Sequence, residues 1–141
     1  MKYLLDTNIF IMALTDDAAL PDAARQIIES PENEKYVSAA SIWEIVIKRA
    51  KRPEAMPIPG DVAVQCLREY GIRLLPINAE HALTVATLKT ANNHEDPFDR
   101  LLIAQSKFEN IPFITCDGNL DGYNEPTVQS LNKKRKKQKD N

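Results

Sequence analysis

Short apolar segments that read as strands alternate with helical patterns along almost the whole chain, and two of the strands end on an aspartate. Lys2 to Leu5 runs into Asp6, and Pro112 to Cys116 (PFITC) runs into Asp117. Tyr36 and Val37 mark a second short strand, Ile72 to Ile77 (IRLLPI) a third, and Thr127 to Leu131 a last one. Between them, Ile9 to Leu14 opens a helix, and Pro21 to Ser30 places Ala24, Ile27 and Ile28 at helical spacing with Pro21 in the first turn. Ser41 to Lys51 reads as an amphipathic helix, and Pro53, Pro57, Pro59 and Gly60 break the chain into a loop. Asp61 caps a helix through Tyr70 that Gly71 closes, Ala79 to Thr90 is helical, and Asp96-Pro97 starts a strongly patterned helix through about Glu109. This alternation predicts a parallel sheet with helices on both faces. Such sheets bind ligands at the carboxyl ends of their strands, where Asp6 and Asp117 stand.

The chain has 141 residues, 43% of them apolar and 27% charged, which suits one domain with a buried core and excludes a mostly disordered chain. No apolar run reaches the roughly 18 residues of a membrane helix. The first residues run straight into an acid, without the long apolar stretch of a signal peptide, so a cytoplasmic protein is expected. Cys66 and Cys116 are too few for a disulfide scaffold and lack metal-ligand spacing. The net charge of −2 is unevenly spread. Residues 132–141 hold six Lys/Arg against one Asp, whereas residues 1–131 hold 12 Lys/Arg against 19 acids. The division expected is an acidic domain over 1–131 and a basic, disordered tail over 132–141.

The candidate constellation is Asp6 in LLDTN, Glu44 in SIWEI, Asp96 and Asp99 in DPFDR, and Asp117 in TCD. Each lies at a strand's end or in a helix's first turn, so one fold can gather several. Crowded carboxylates repel one another, and a chain that gathers them usually does so for a hard divalent cation such as Mg²⁺ or Mn²⁺. Carboxylates without a ligand His or Cys suit metal-assisted phosphodiester hydrolysis. Purely structural roles compete with this. Ser41-Ile42-Trp43-Glu44 is a complete capping box, and Asp96 is a good N-cap before Pro97, which leaves Asp99 a helix-dipole role. Asp6 and Asp117 follow apolar strands and have no helix to cap unless one begins at once.

The remaining polar residues divide in the same way. Asn8 can orient a water or form an Asx turn, and Thr115 can meet a phosphate or fill a strand position. Arg100 can meet a phosphate or pair with an acid. Lys133, Lys134, Arg135, Lys136 and Lys137 in the tail either attract phosphate nonspecifically or form a solvated end. His81 and His94 read as lone histidines without a metal role.

Together these residues resemble the PIN-domain family, in particular the VapC-type toxins of toxin–antitoxin pairs. LLDTNIFI is similar to the family's opening strand and first acid, and SAASIWEIVIK to its helix with the second. INAEHAL followed by HEDPFDRLLIAQ resembles the most distinctive block of one VapC branch, and FITCDGNLDGY the closing strand with the last acid. The resemblance spans about Tyr3 to Leu131. It implies a three-layer α/β/α domain with a central parallel sheet of four to five strands. It also implies a Mg²⁺- or Mn²⁺-dependent endoribonuclease held inactive by a cognate antitoxin, with a homodimer expected. It assigns metal binding and catalysis to Asp6, Glu44, Asp99 and Asp117, with Asn8, Asp96 and Thr115 in support. Two departures stand out. Glu95 occupies a position where relatives of this branch often carry a basic residue, and the lysine-rich tail lies beyond the family's usual end. The rival readings are a PIN-like RNA- or protein-binding module without activity, and a phosphatase with Asp6 as nucleophile. The second lacks the further Asp usual two residues on, where this chain has Asn8.

Overall fold

The computed structural model describes residues 1–90 and 94–131. Five strands alternate with six helices among them: β1 (Lys2–Leu5), α1 (Thr7–Leu14), α2 (Asp22–Glu29), β2 (Glu34–Ser38), α3 (Ala39–Lys51), α4 (Gly60–Glu69), β3 (Arg73–Leu75), α5 (Ala79–Thr84), α6 (Pro97–Glu109), β4 (Phe113–Thr115) and β5 (Val128–Ser130). All strand pairs are parallel, in the order β3-β2-β1-β4-β5. The expected parallel sheet is therefore present, with five strands. The residues expected to form the basic tail, Lys133 to Lys137 included, lie outside the described residues.

Period-two alternation of the strands divides the core into two layers. Leu5 and Ile114 face a cluster with Ile9, Phe10, Val37, Ile45 and Leu67. Their chain neighbours Leu4 and Phe113 face the opposite cluster, with Ala40, Leu102, Ile103 and Leu120. Helices thus cover both faces of a sheet whose central strands are apolar on both sides, giving a three-layer α/β/α arrangement. No helix among the described residues is long and apolar enough to cross a membrane.

Several boundaries differ from the sequence expectation for local reasons. The first helix begins at Thr7, immediately after the strand, because the Asp6 side chain accepts from the Thr7 N–H and caps it. The third begins at Ala39, because Ser38 supplies the cap through its hydroxyl to the Ala40 N–H. Ser41 is therefore inside the helix, and the capping box anticipated there does not form. Asp61 does not cap α4; Pro59 holds the N-cap position, and Asp61 accepts only from its neighbour Val62. A capping box does form at Asn78 and His81, ahead of a helix that gives way after Thr84 to a short 3₁₀ turn. Gly71 closes α4 with φ +68°, a left-handed conformation that glycine adopts without strain.

Candidate active site

The strand order reverses between β1 and β4. The chain moves outward from β1 through β2 to β3, then returns to the other side of β1 for β4 and β5. Open α/β sheets have their crevice at such a switch point, outside the carboxyl ends of the two strands. Asp6 follows β1 there, and Thr115 ends β4 two residues before Asp117. The two strand ends are fastened together by the Asp6 N–H donating to the Ile114 carbonyl at 2.9 Å.

The Asp6 carboxylate is 4% exposed and both its oxygens are engaged. One accepts from the Thr7 N–H at 2.7 Å, and the other from the Thr115 hydroxyl at 2.6 Å. The Thr115 hydroxyl in turn accepts from the Asp117 N–H at 3.1 Å, so one buried side chain links the acids after β1 and β4. Asp117 accepts from Asn119 and caps a short 3₁₀ turn. A helical turn begins at once after each strand-end acid, so both are caps as well as candidate ligands.

Glu44 arrives from α3. Its Oε1 lies 2.7 Å from the Thr7 hydroxyl, which also lies 2.7 Å from the Ser41 hydroxyl. A threonine hydroxyl has one proton and an ionised carboxylate only accepts, so Thr7 donates to Glu44 and Ser41 donates to Thr7. The other oxygen of Glu44 is 2.7 Å from the Lys48 ammonium, one helical turn on. Burial alone would push the Lys48 pKa down, but the bond to Glu44 and the charges of Glu44, Asp96 and Asp99 raise it.

The first turn of α6 brings the remaining acids. Asp96 is exposed and caps the helix, accepting from the Phe98 and Asp99 N–H groups at 2.9 and 3.1 Å. Asp99 points inward with its side chain 14% exposed, and its Oδ2 lies 3.2 Å from His94 Nε2. The other His94 nitrogen lies 2.8 Å from the Tyr123 hydroxyl. Arg100 donates to the carbonyls of Val85 and His94 and to the Tyr123 hydroxyl. Its guanidinium thus braces the segment leading into α6.

The acids sense one another. Burial raises the Asp99 pKa to about 8, with further contributions from Asp6, Asp96, Glu44 and Asp117. Burial raises the Asp6 pKa to about 6, opposed by the hydrogen bonds from Thr115 and Thr7 and assisted by Glu44 and Asp117. Burial and the charges of Asp6 and Asp117 also push the Cys116 thiol up, away from the reactive thiolate. Beside these acids opens a groove of about 420 Å³, lined by Asn8, Ile11, Met12, Cys116, Asp117 and Gly118.

The donor set suits a hard cation: the candidate ligands are all oxygen, and neighbouring acids add to the burial that hinders Asp6 and Asp99 from ionising without a counter-charge. Among the described residues, no three His, Cys, Asp or Glu side chains converge to ligate one ion together. Mg²⁺ retains several waters and usually takes only one or two carboxylates directly. Carboxylates that share a field without closing into a cage fit that mode.

Residues 3–126 match the family model for the PIN domain, which is most of the chain. The chain belongs to the PIN-domain family. Solved structures of similar fold include VapBC2 from Rickettsia felis bound to a DNA fragment from its promoter (TM-score 0.66, 16% identity, covering 94% of this chain and 98% of that one). A toxin–antitoxin complex from Klebsiella pneumoniae is also similar (TM-score 0.62, 19% identity, 92% and 97% covered). So is VapC20 from Mycobacterium tuberculosis, a toxin that cleaves the sarcin-ricin loop (TM-score 0.60, 14% identity, 90% and 98% covered). Comparison with curated proteins gives no significant match.

Four residues that touch this PIN site were not anticipated as parts of it. Lys48 had a readable signal, standing at i+4 from Glu44 on a helix. Thr7, Ser41 and His94 had none. Thr7 and Ser41 meet across 34 positions of sequence, and His94 precedes the helix whose acid it touches.

Proposed function

We propose that this PIN domain is a divalent-metal-dependent endoribonuclease that acts in the cytoplasm as the toxin of a toxin–antitoxin pair. The observation that supports this reading is that Asp6 shares hydrogen-bonding partners with two other acids, Thr7 with Glu44 and Thr115 with Asp117, while Asp99 lies within their electrostatic reach. Asp6, Glu44, Asp99 and Asp117 would hold Mg²⁺ or Mn²⁺, partly through water. A bound ion supplies Lewis-acid polarisation of a phosphate oxygen and acidifies water. The chain's residues do the rest. Thr115 and the Thr7 N–H fix the Asp6 carboxylate, and the Thr7 hydroxyl with Lys48 fixes Glu44. One carboxylate accepts the proton of a water attacking phosphorus in line, and the 3′-oxygen departs. Asn8 and Asp117 border the groove through which that water and the RNA strand approach. Of the two roles open to Arg100, phosphate contact and pairing with an acid, neither is what its guanidinium does here: it is engaged with carbonyls and Tyr123, which favours a bracing role.

Asp6 is poorly suited to nucleophilic phosphatase chemistry, being buried with a hydrogen bond on each oxygen. An antitoxin partner is supported by the fold shared with the VapBC assemblies, and a homodimer is proposed with it. The test is to sequence RNA 5′ ends after a brief pulse of expression. The reading predicts new ends at defined sites, and none with Asp6→Ala. The same ends appearing with Asp6→Ala would overturn it.

A further inference from the structure

Trp43 is the chain's single tryptophan and is 57% exposed. An isolated apolar side chain on a surface needs no explanation, but this one has a particular setting. It immediately precedes Glu44 on α3, and its ring packs edge-to-face on Phe98 at 5.0 Å between centroids and 70° between planes. Phe98 immediately precedes Asp99 on α6. The helices that carry Glu44 and Asp99 thus also carry one aromatic ring each, and the two rings meet. The contact with Phe98 fixes the indole while leaving more than half of its surface in solvent.

A line of cations runs from Glu44 toward the end of the same helix. Glu44, Lys48 and Lys51 stand at i, i+4 and i+7 on one stripe of α3, a span of roughly 10 Å along the axis. Lys48, Lys51 and Arg52 are exposed and line a groove of about 430 Å³ with Ala55. Lys48, Arg49, Lys51 and Arg52 make up four of the 12 basic residues in 1–131, a region with 19 acids. Arg49 is turned away to the Met56 carbonyl. An acidic centre that must receive a polyanion needs cations near it, and the described structure provides them on this stripe.

We propose that Trp43, braced by Phe98, is a stacking platform for an unpaired base of the RNA, and that Lys51 and Arg52 carry the phosphates beyond it, Lys48 being held by Glu44. Stacked bases over aromatic rings, with a cationic track for the backbone, are how proteins hold single strands; paired bases within a duplex cannot offer their faces. The platform rests on the nuclease reading and narrows its substrate to a single-stranded segment.

The sole tryptophan makes the contact directly measurable. The full chain is kept from cleaving with EDTA and titrated with a short unstructured RNA labelled at its 5′ end. Trp43 fluorescence is expected to be quenched by the single strand and not by a duplex of the same sequence. Trp43→Ala should weaken single-strand binding about fivefold to 150-fold, the range of one stacked base. Trp43→Phe should retain most of the affinity. Lys51→Ala and Arg52→Ala should each reduce the salt slope of binding by about one. Unquenched fluorescence, equal quenching by duplex, or unchanged affinity of Trp43→Ala would overturn the platform. So would a Trp43→Ala chain that changes its sedimentation but not its RNA affinity, which would reassign the rings to a protein contact. Cleavage on restoring Mg²⁺ separates the two readings. A parent that cleaves while Trp43→Ala matches it in KM loses only the platform. A parent that binds with quenching and never cleaves loses only the nuclease reading.

Discussion

Asp99 and Asp6 are carboxyls that the fold hinders from ionising, and this has a definite sign. Burial and neighbouring acids raise Asp99 to about 8 and burial raises Asp6 to about 6, against an ordinary value of 3.8. At low pH both are protonated in the folded and unfolded chains alike. Between about pH 4 and pH 8 the folded chain holds protons that the unfolded chain releases, so stability falls as pH rises through that window. Melting of the EDTA-treated chain should therefore drop in temperature from about pH 5 to about pH 8. Asp99→Asn should flatten most of that fall, and a divalent cation should restore more stability at the upper end than at the lower. A flat profile for the parent would contradict the burial of these charges. Thr115 bears on the same carboxyl. Thr115→Val keeps the shape but leaves a buried oxygen of Asp6 without its donor, at a cost of about 1–3 kcal/mol in urea unfolding. Because that hydroxyl opposes the upward shift, the substitution should also move the pH profile of cleavage upward, and Thr115→Ser should restore both.

At the scale of elements, helix starts set the site. Asp96 holds the first turn of α6 through two backbone N–H groups, and Asp99 projects from that turn. Asp96→Ala should cost about 1 kcal/mol and reduce cleavage by loosening Asp99, whereas Asp96→Asn or Asp96→Ser should retain the cap and both properties. Loss of cleavage in Asp96→Asn at unchanged stability would make Asp96 a ligand. The strong starts were readable: Asp96-Pro97 is an N-cap followed by a residue preset for the first helical turn, and α6 begins there. The start of α3 was misread because Ser38 and Ser41 are both good caps three residues apart, and only the end of β2 decides between them. Glu44 was thereby freed from the capping box for Thr7 and Lys48, which helical spacing alone could not reveal. The strand after α4 was read as Ile72 to Ile77 but spans Arg73–Leu75, since Pro76 has no N–H for the ladder.

For the whole molecule, alternating strand and helix patterns were enough to place Asp6 and Asp117 at the carboxyl ends of parallel strands. They were not enough to make those strands neighbours. That adjacency joins residues 109 positions apart through the Thr115–Asp6 bond, and it depends on β4 returning beside β1, not on any local signal. The charge balance has a similar lesson. Net charge alone argues against a polyanionic partner, but Asp6 and Asp117 stand at one end of the sheet, and with Glu44 they act electrostatically on Asp99. A divalent cation there would offset part of the repulsion that RNA meets. The most direct test is cleavage of an end-labelled, single-stranded RNA by the purified chain with Mg²⁺ or Mn²⁺, with EDTA, and as Asp6→Asn and Asp99→Asn variants shown by circular dichroism to be folded. The site predicts cleavage only with the metal, reduced about 100-fold or more in each folded variant. Cleavage that persists in EDTA, or at the parent's rate in either variant, would contradict it.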